Sequence, residues 1–172
     1  NPLATKERSL NPLAMADYRR VFVPGATYFF TLNLQDRRSD LLVRHIGALR
    51  ESWSDMRRAW PVDTLAAVVL PDHMHLVLAL PEGDANYPAR LRLFKSGFTR
   101  RLPEAEKSTG RKGERRVWQR RYWEHMIRDE ADLIAHVDYV HNNPVKHGYA
   151  TSPDHWPFST WHRQGGNGVT TG

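Results

Sequence analysis

Hydrophobic positions along the chain change period several times, and each change marks an element. After the turn-forming VPGA, the segment TYFFTLNLQ (27–35) is dense in aromatic and β-branched residues and reads as a first strand. Ser39 and Asp40 can cap a helix over LLVRHIGALRESWSDMRRAW, where Leu42, Ile46, Leu49, Trp53 and Met56 recur at helical spacing until Pro61 ends the pattern. VDTLAAVVL (62–70) is a short apolar run suited to a buried strand, Pro71 and Asp72 supply a turn, and HMHLVLAL (73–80) is its hairpin partner. NYPARLRLFKSGFTRRL returns to helical spacing through Leu91, Phe94 and Phe98, with Pro88 in the first turn and Gly97 as an irregularity. Residues 103–116 are charged and hold Gly110 and Gly113, the composition of a mobile loop. VWQRRYWEHMI (117–127) is a fourth strand, and Asp129 caps a last helix, EADLIAHVDYVHNN, which Pro144 should stop. The resulting order is strand, helix, strand, strand, helix, strand, helix. That order is an α+β class fold, the ferredoxin-like βαββαβ antiparallel sheet with one further C-terminal helix.

Composition narrows the chemistry. A chain of 172 residues with 40% hydrophobic positions suits one domain, and no segment has the length of an apolar membrane span or the look of a signal peptide. Cysteine is absent, which excludes disulfides and thiolate metal sites and suits a cytoplasmic protein. Lys plus Arg number 25 against 19 for Asp plus Glu, with arginines clustered in FTRRLP and GRKGERRVWQRRYW. Such a balance favours a polyanionic partner, most simply nucleic acid, although a solvated basic surface has the same signature. NPLA occurs at 1–4 and again at 11–14, so Met15 is the expected natural start and residues 1–14 are expected to be an appended or disordered extension.

The chemistry-bearing residues lie in PDHMH and in the last helix. In a strand, His73 and His75 point to one face while Met74, Leu76 and Leu78 point to the other, and two imidazoles at that spacing can hold one divalent cation. The pair by itself is equally consistent with a core histidine beside a surface one. On a helical wheel of about 100° per residue, His136 and Asn143 fall near Tyr139, with Leu133, Ile134, Val137 and Val140 across from it. A phenol, an amide and two imidazoles could therefore meet, with Asn143 expected at the helix terminus because Pro144 follows it. A site of His and Asn ligands keeps open positions for a Lewis acid, and a tyrosine can store a phosphoryl bond covalently. No GxSxG, Gly-rich phosphate loop or HExxH is present.

PDHMHLVLALPEGD, VWQRRYWEHMIRD and HVDYVHNNPVKHGY, in that order, closely resemble the single-tyrosine HUH transposases, specifically the REP-associated tyrosine transposases. The likeness runs from about Tyr18 to DHWPFSTWHR, with residues 15–150 as the catalytic domain. It implies a divalent cation, Mg2+ or Mn2+, on His73 and His75 with Asn143 as a further ligand. It also implies that Tyr139 attacks single-stranded DNA at REP hairpins, leaving a 5′-phosphotyrosine link and a free 3′-hydroxyl. Met74 only loosely fits the bulky hydrophobic residue usual between the histidines. Arg100, Arg101, Arg115, Arg116, Arg120 and Arg121 could follow the DNA backbone, and Trp118, Tyr122 or Trp123 could stack bases. Plain sheet packing and solvation are the competing reading of those residues. The expected assembly is a monomer or a homodimer.

Two other functions compete with strand transfer. One is a noncatalytic single-stranded nucleic-acid-binding module on the same sheet, which the absence of an RNP aromatic motif disfavours. The other is a small metallo-phosphoesterase, which would not need Tyr139. Residues 151–172 carry Trp156, Phe158 and Trp161 and are expected to fold back near Tyr139, where His155 or His162 could reach the metal region, with disorder at the very end.

Overall fold

The computed structural model describes residues 20–107 and 117–164. Four strands, β1 (Thr27–Asn33), β2 (Asp63–Val69), β3 (His73–Ala79) and β4 (Trp123–Met126), form one antiparallel sheet in the order β2-β3-β1-β4. Helices α1 (Leu41–Arg44), α2 (Ile46–Ala59), α3 (Tyr87–Arg101), α4 (Glu130–Lys146) and α5 (Trp161–Gln164) complete the fold. The order and the mixed α+β content are those of the ferredoxin-like plan read from the periodicity, with the extra helix in place. Among the described residues no helix is long and apolar enough to cross a membrane.

Strand alternation divides the hydrophobic residues between two faces. Tyr28, Phe30 and Leu32 of β1 and Met74, Leu76 and Leu78 of β3 pack under α2 and α3, against Leu49, Met56, Leu91, Phe94 and Phe98. The opposite face is smaller. There Phe29, Ala66, Val68 and Val77 meet Val140 of α4, with Leu133 and Val137 at the margin. Register places His73 opposite Asn33 and His75 opposite Thr31, so both histidines emerge on the α4 face.

Several elements differ from the periodicity. The helix after Ser39 is two elements, because the backbone departs from helical geometry at His45 (φ −111, ψ 38). Leu42 N–H donates to the Pro71 carbonyl, holding the short α1 to the β2–β3 turn. Ser39, rather than Asp40, supplies the side-chain acceptor, to Leu41 N–H at 3.2 Å. Asn86 caps α3 by accepting from Ala89 N–H. At Gly97 a Cβ would sit 3.4 Å from the Ser52 Cβ of α2, so the two helices approach closely at that point. The fourth strand is shorter than 117–127: Gln119 N–H donates to Asn33 O at the end of β1 and Val117 O accepts from Gln35 N–H just past it, but Tyr122 leaves the ladder and packs its ring against Phe30.

Pro144 does not stop α4, which runs on to Lys146. Proline removes one donor, a small loss in the final turn, where Gly148 (φ +74) and Tyr149 N–H, donating to the Pro144 carbonyl at 2.8 Å, close the helix. Asn143 is consequently inside the helix, not at its terminus. Ile134, expected on the apolar side, is 54% exposed, because the face turned to the sheet centres on Val140 instead. Beyond α4 the chain folds back along the outer edge of β2. Val69 N–H donates to Phe158 O, Thr160 N–H to Ala67 O, and the Trp156 indole to Val69 O. His155 engages Thr151 and His162 bonds the Trp156 carbonyl, so neither reaches the His73–His75 pair. The expectations for residues 1–14, for most of the 103–116 loop and for the very end fall outside the described residues.

Candidate active site

His73 and His75 project from β3 with their rings 5.1 Å apart between centroids. His73 Nδ1–H donates to Asp72 Oδ1 at 2.8 Å, and Asp72 Oδ2 is held by Arg37 Nε at 2.7 Å. His75 Nδ1 meets Thr31 Oγ1, its cross-strand neighbour, at 2.8 Å. Each imidazole is thus oriented through Nδ1, and at His73, whose Nδ1–H faces a carboxylate, this leaves Nε2 with its lone pair for a metal ion. His75 Nε2 is buried and has no hydrogen-bond partner. Burial, reinforced by the nearby cations and by His73 and His147, lowers the His75 pKa to about 3, and burial likewise lowers that of His73. Desolvation works against ionisation of Asp72, but its bonds to His73 and Arg37 prevail and keep its pKa low.

Helix α4 brings the other components. Tyr139 lies at the rim, 39% exposed, with its ring 5.3 Å from His75 and edge-on to Phe29. Lys146 holds its ammonium 5.1 Å from the Tyr139 ring centroid. Asn143, one turn on from Tyr139, is fully buried, and neither its amide oxygen nor its nitrogen has a partner. An orphaned buried amide costs about 1–3 kcal/mol. The chemistry of an amide oxygen and two neutral imidazoles is one that a divalent cation accepts, and both the Asn143 amide and His75 Nε2 are buried without partners.

Three participants escaped the sequence reading. Thr31 and Asp72 orient the histidines, and His147 at the end of α4 stacks edge-on 5.2 Å from His73. Alternation along TYFFTLN pointed to Thr31, and adjacency to Asp72, but only the packing of α4 brings in His147. Across Phe29 from His75 is a further group of potential ligands, His125, Asp132 and His136, whose donor atoms lie within 4.8 Å of one another.

The expected DNA contacts are redistributed. Trp118 is 7% exposed and locked among Phe94 and Phe98, its indole donating to the Lys95 carbonyl, so it is core and cannot stack a base. Tyr122 is half-buried against the same core with Arg20 over its ring. Arg101 is engaged by Glu51 and Asp55 of α2. Arg100, Arg120, Arg121 and Trp123 are exposed, while Arg115 and Arg116 lie outside the described residues. The α3 residues pack on the sheet face opposite His73 and His75.

No family model matches the chain. The chain is 43% identical over 155 residues to the REP-associated tyrosine transposase of Escherichia coli strain K12, covering 90% of this chain and 88% of that protein. A Haemophilus influenzae protein assigned to the same group is 44% identical over 153 residues, with 87% of each chain covered. Among solved structures, a REP-associated tyrosine transposase bound to a REP hairpin superposes with a TM-score of 0.80 at 42% identity, covering 90% of this chain and 88% of that one. At this identity over most of both chains, and with the α+β fold in common, the chain belongs to the REP-associated tyrosine transposases, an HUH-type transposase family.

Proposed function

We propose that this transposase cuts and rejoins single-stranded DNA at REP hairpins through a covalent link to Tyr139. The observation that carries the reading is the Tyr139 ring 5.3 Å from His75, beside the buried His73, with the unpartnered buried amide of Asn143 one turn further along the same helix. The hairpin as substrate is supported by the solved relative that binds one. Mg2+ or Mn2+, held by His73, His75 and Asn143, would supply Lewis-acid polarisation of a phosphoryl oxygen.

In the proposed step the Tyr139 hydroxyl gives up its proton and its oxygen forms a bond to the scissile phosphorus. The P–O3′ bond breaks, and the departing 3′ oxygen takes up a proton. The products are a 5′-phosphotyrosine and a free 3′-hydroxyl, and attack by another 3′-hydroxyl reverses the sequence and rejoins the strand. Lys146 places positive charge against the ring on which negative charge develops. Thr31 and Asp72 keep the imidazoles from rotating, and the Phe29 ring sets the depth of both His75 and Tyr139. The proposed place of action is the cytoplasm, with the bacterial chromosome.

A noncatalytic binding module would have no use for a buried, unpartnered imidazole nitrogen and a buried orphan amide. The test is incubation of the protein with a REP hairpin carrying single-stranded flanks and Mn2+, followed by denaturing electrophoresis. A DNA–protein adduct is expected from the native chain and none from Tyr139→Phe, which should still bind the hairpin. An adduct that persists in Tyr139→Phe would overturn the assignment.

A further inference from the structure

Outside the proposed catalytic group, the described residues hold one cluster with the composition of a metal centre. Its residues come from β4 and from the first two turns of α4. His125 Nε2 lies 2.8 Å from Asp132 Oδ2, and His136 Nδ1 lies 3.2 Å from Asp132 Oδ1. The two imidazoles stack with centroids 4.6 Å apart and planes 15° from parallel. Asp132 and His136 are i, i+4 neighbours on one helix face, and His125 reaches them from the strand beside it.

The three side chains are held in place before any ion arrives. The Asp132 main-chain N–H donates to the cap residue Asp129, and its carboxylate accepts from Arg128 N–H at 2.9 Å. Bonds from His125 and from Arg128 keep its pKa well below the usual carboxylate range, so it is an anion at any working pH. His136 bonds the Asp132 carbonyl through Nδ1 at 2.8 Å, which fixes the ring and leaves the lone pair on the other nitrogen. The carboxylate is nearly covered, its side chain 7% exposed, while His125 and His136 are 29% and 23% exposed. An ion therefore has a route in and a position left open to solvent. Two imidazoles and one carboxylate are the donor set of sites for Zn2+, Co2+ and related ions, softer than an all-oxygen site would take.

The geometry points to a second divalent-cation site on His125, Asp132 and His136, of imidazole-rich character and distinct from the His73–His75 pair. An ion there replaces the His125–Asp132 hydrogen bond with coordination, the His125 proton moving to Nδ1. It ties β4 to the first half of α4, the helix that carries Tyr139 one turn beyond His136. Phe29 touches both His136 and Tyr139, so clamping α4 at this point fixes the approach of the tyrosine to the sheet.

The site is tested with Co2+ and the full chain carrying His73→Ala and His75→Ala, any affinity tag removed, so that the catalytic pair contributes nothing. Equilibrium dialysis should find about one Co2+ per chain, with visible d–d absorption, and the thermal midpoint should rise with added Co2+. Adding His125→Ala, or separately His136→Gln, should weaken binding by at least about tenfold and abolish the midpoint rise. Circular dichroism confirms folding of each variant, and His136→Gln serves if His125→Ala does not fold. Absence of bound Co2+ in the His73→Ala/His75→Ala chain overturns the site, as does binding that neither further substitution weakens. The proposed catalytic reading fails separately, when the otherwise native chain loses no Co2+ on His73→Ala/His75→Ala substitution.

Discussion

Asn143 is the residue whose placement departs furthest from ordinary folding economy, since a buried amide without partners destabilises the metal-free chain. Asn143→Leu removes both orphan atoms at similar volume. It should leave the thermal midpoint of metal-free protein unchanged or higher, while the rise produced by Mn2+ shrinks. Differential scanning fluorimetry with and without Mn2+ measures both, and a large fall in the metal-free midpoint would show that the amide has a structural partner. His75 gives a pH signature of the metal-free state. Its folded pKa, about 3, is below the unfolded value near 6.5, so between those values the unfolded chain binds the extra proton. This contribution to stability is complete above about pH 6.5 and is lost as pH falls toward 3, at up to roughly tenfold in the folding equilibrium per pH unit. Urea titrations from pH 7 to pH 4 should show a shallower acid decline for His75→Gln than for the native chain.

At the scale of elements, the two faces of the sheet divide the work. Helices α2 and α3 close the larger core and keep away from the chemistry, whereas α4 covers the smaller one and carries Tyr139 and Asn143. Gly97 marks the close approach of α2 and α3. Gly97→Val should cost about 1–3 kcal/mol by forcing those helices apart. Because the strain falls on the far face, adduct formation per folded molecule should stay near the native level, measured by chemical denaturation alongside the hairpin assay. A selective loss of cleavage would mean that the α2–α3 layer sets the position of β3.

For the whole molecule, two properties follow from how the ends and the charges are arranged. The chain after α4 adds hydrogen bonds along β2 and seats Trp156 on the small core, so truncation before Ser152 should lower the thermal midpoint by several degrees as well as change adduct yield. An unchanged midpoint with altered cleavage would instead make the segment a regulator of DNA entry. Hairpin affinity should fall steeply with salt as phosphate contacts release counterions. Arg121→Ala should reduce the slope of log affinity against log salt by about one, whereas Arg101, already paired with Glu51 and Asp55, should leave it unchanged on substitution.

Much of this protein was legible in its one-dimensional pattern because local physics decides it. Alternation by two fixed which residues of TYFFTLN and HMHLVLA share a face, and hence that His73 and His75 emerge together opposite Met74 and Leu76. Helical spacing, Pro88 and Asp129 placed α3 and α4 within a few residues, and the order of elements dictated the ferredoxin-like sheet. Other features depended on contacts between segments far apart in the chain. The aromatic VWQRRYW looked suited to stacking bases, yet Trp118 is core because α3 offers it Phe94, Phe98 and a carbonyl. Pro144 looked like a terminus, yet the chain after it bonds back to its carbonyl and extends α4 past Asn143. The landing of Trp156 on β2, the approach of His147 to His73, and the meeting of His125 with Asp132 and His136 were all settled by tertiary packing. Periodicity states which way a side chain faces; only the docking of α4 on the sheet decides what it faces.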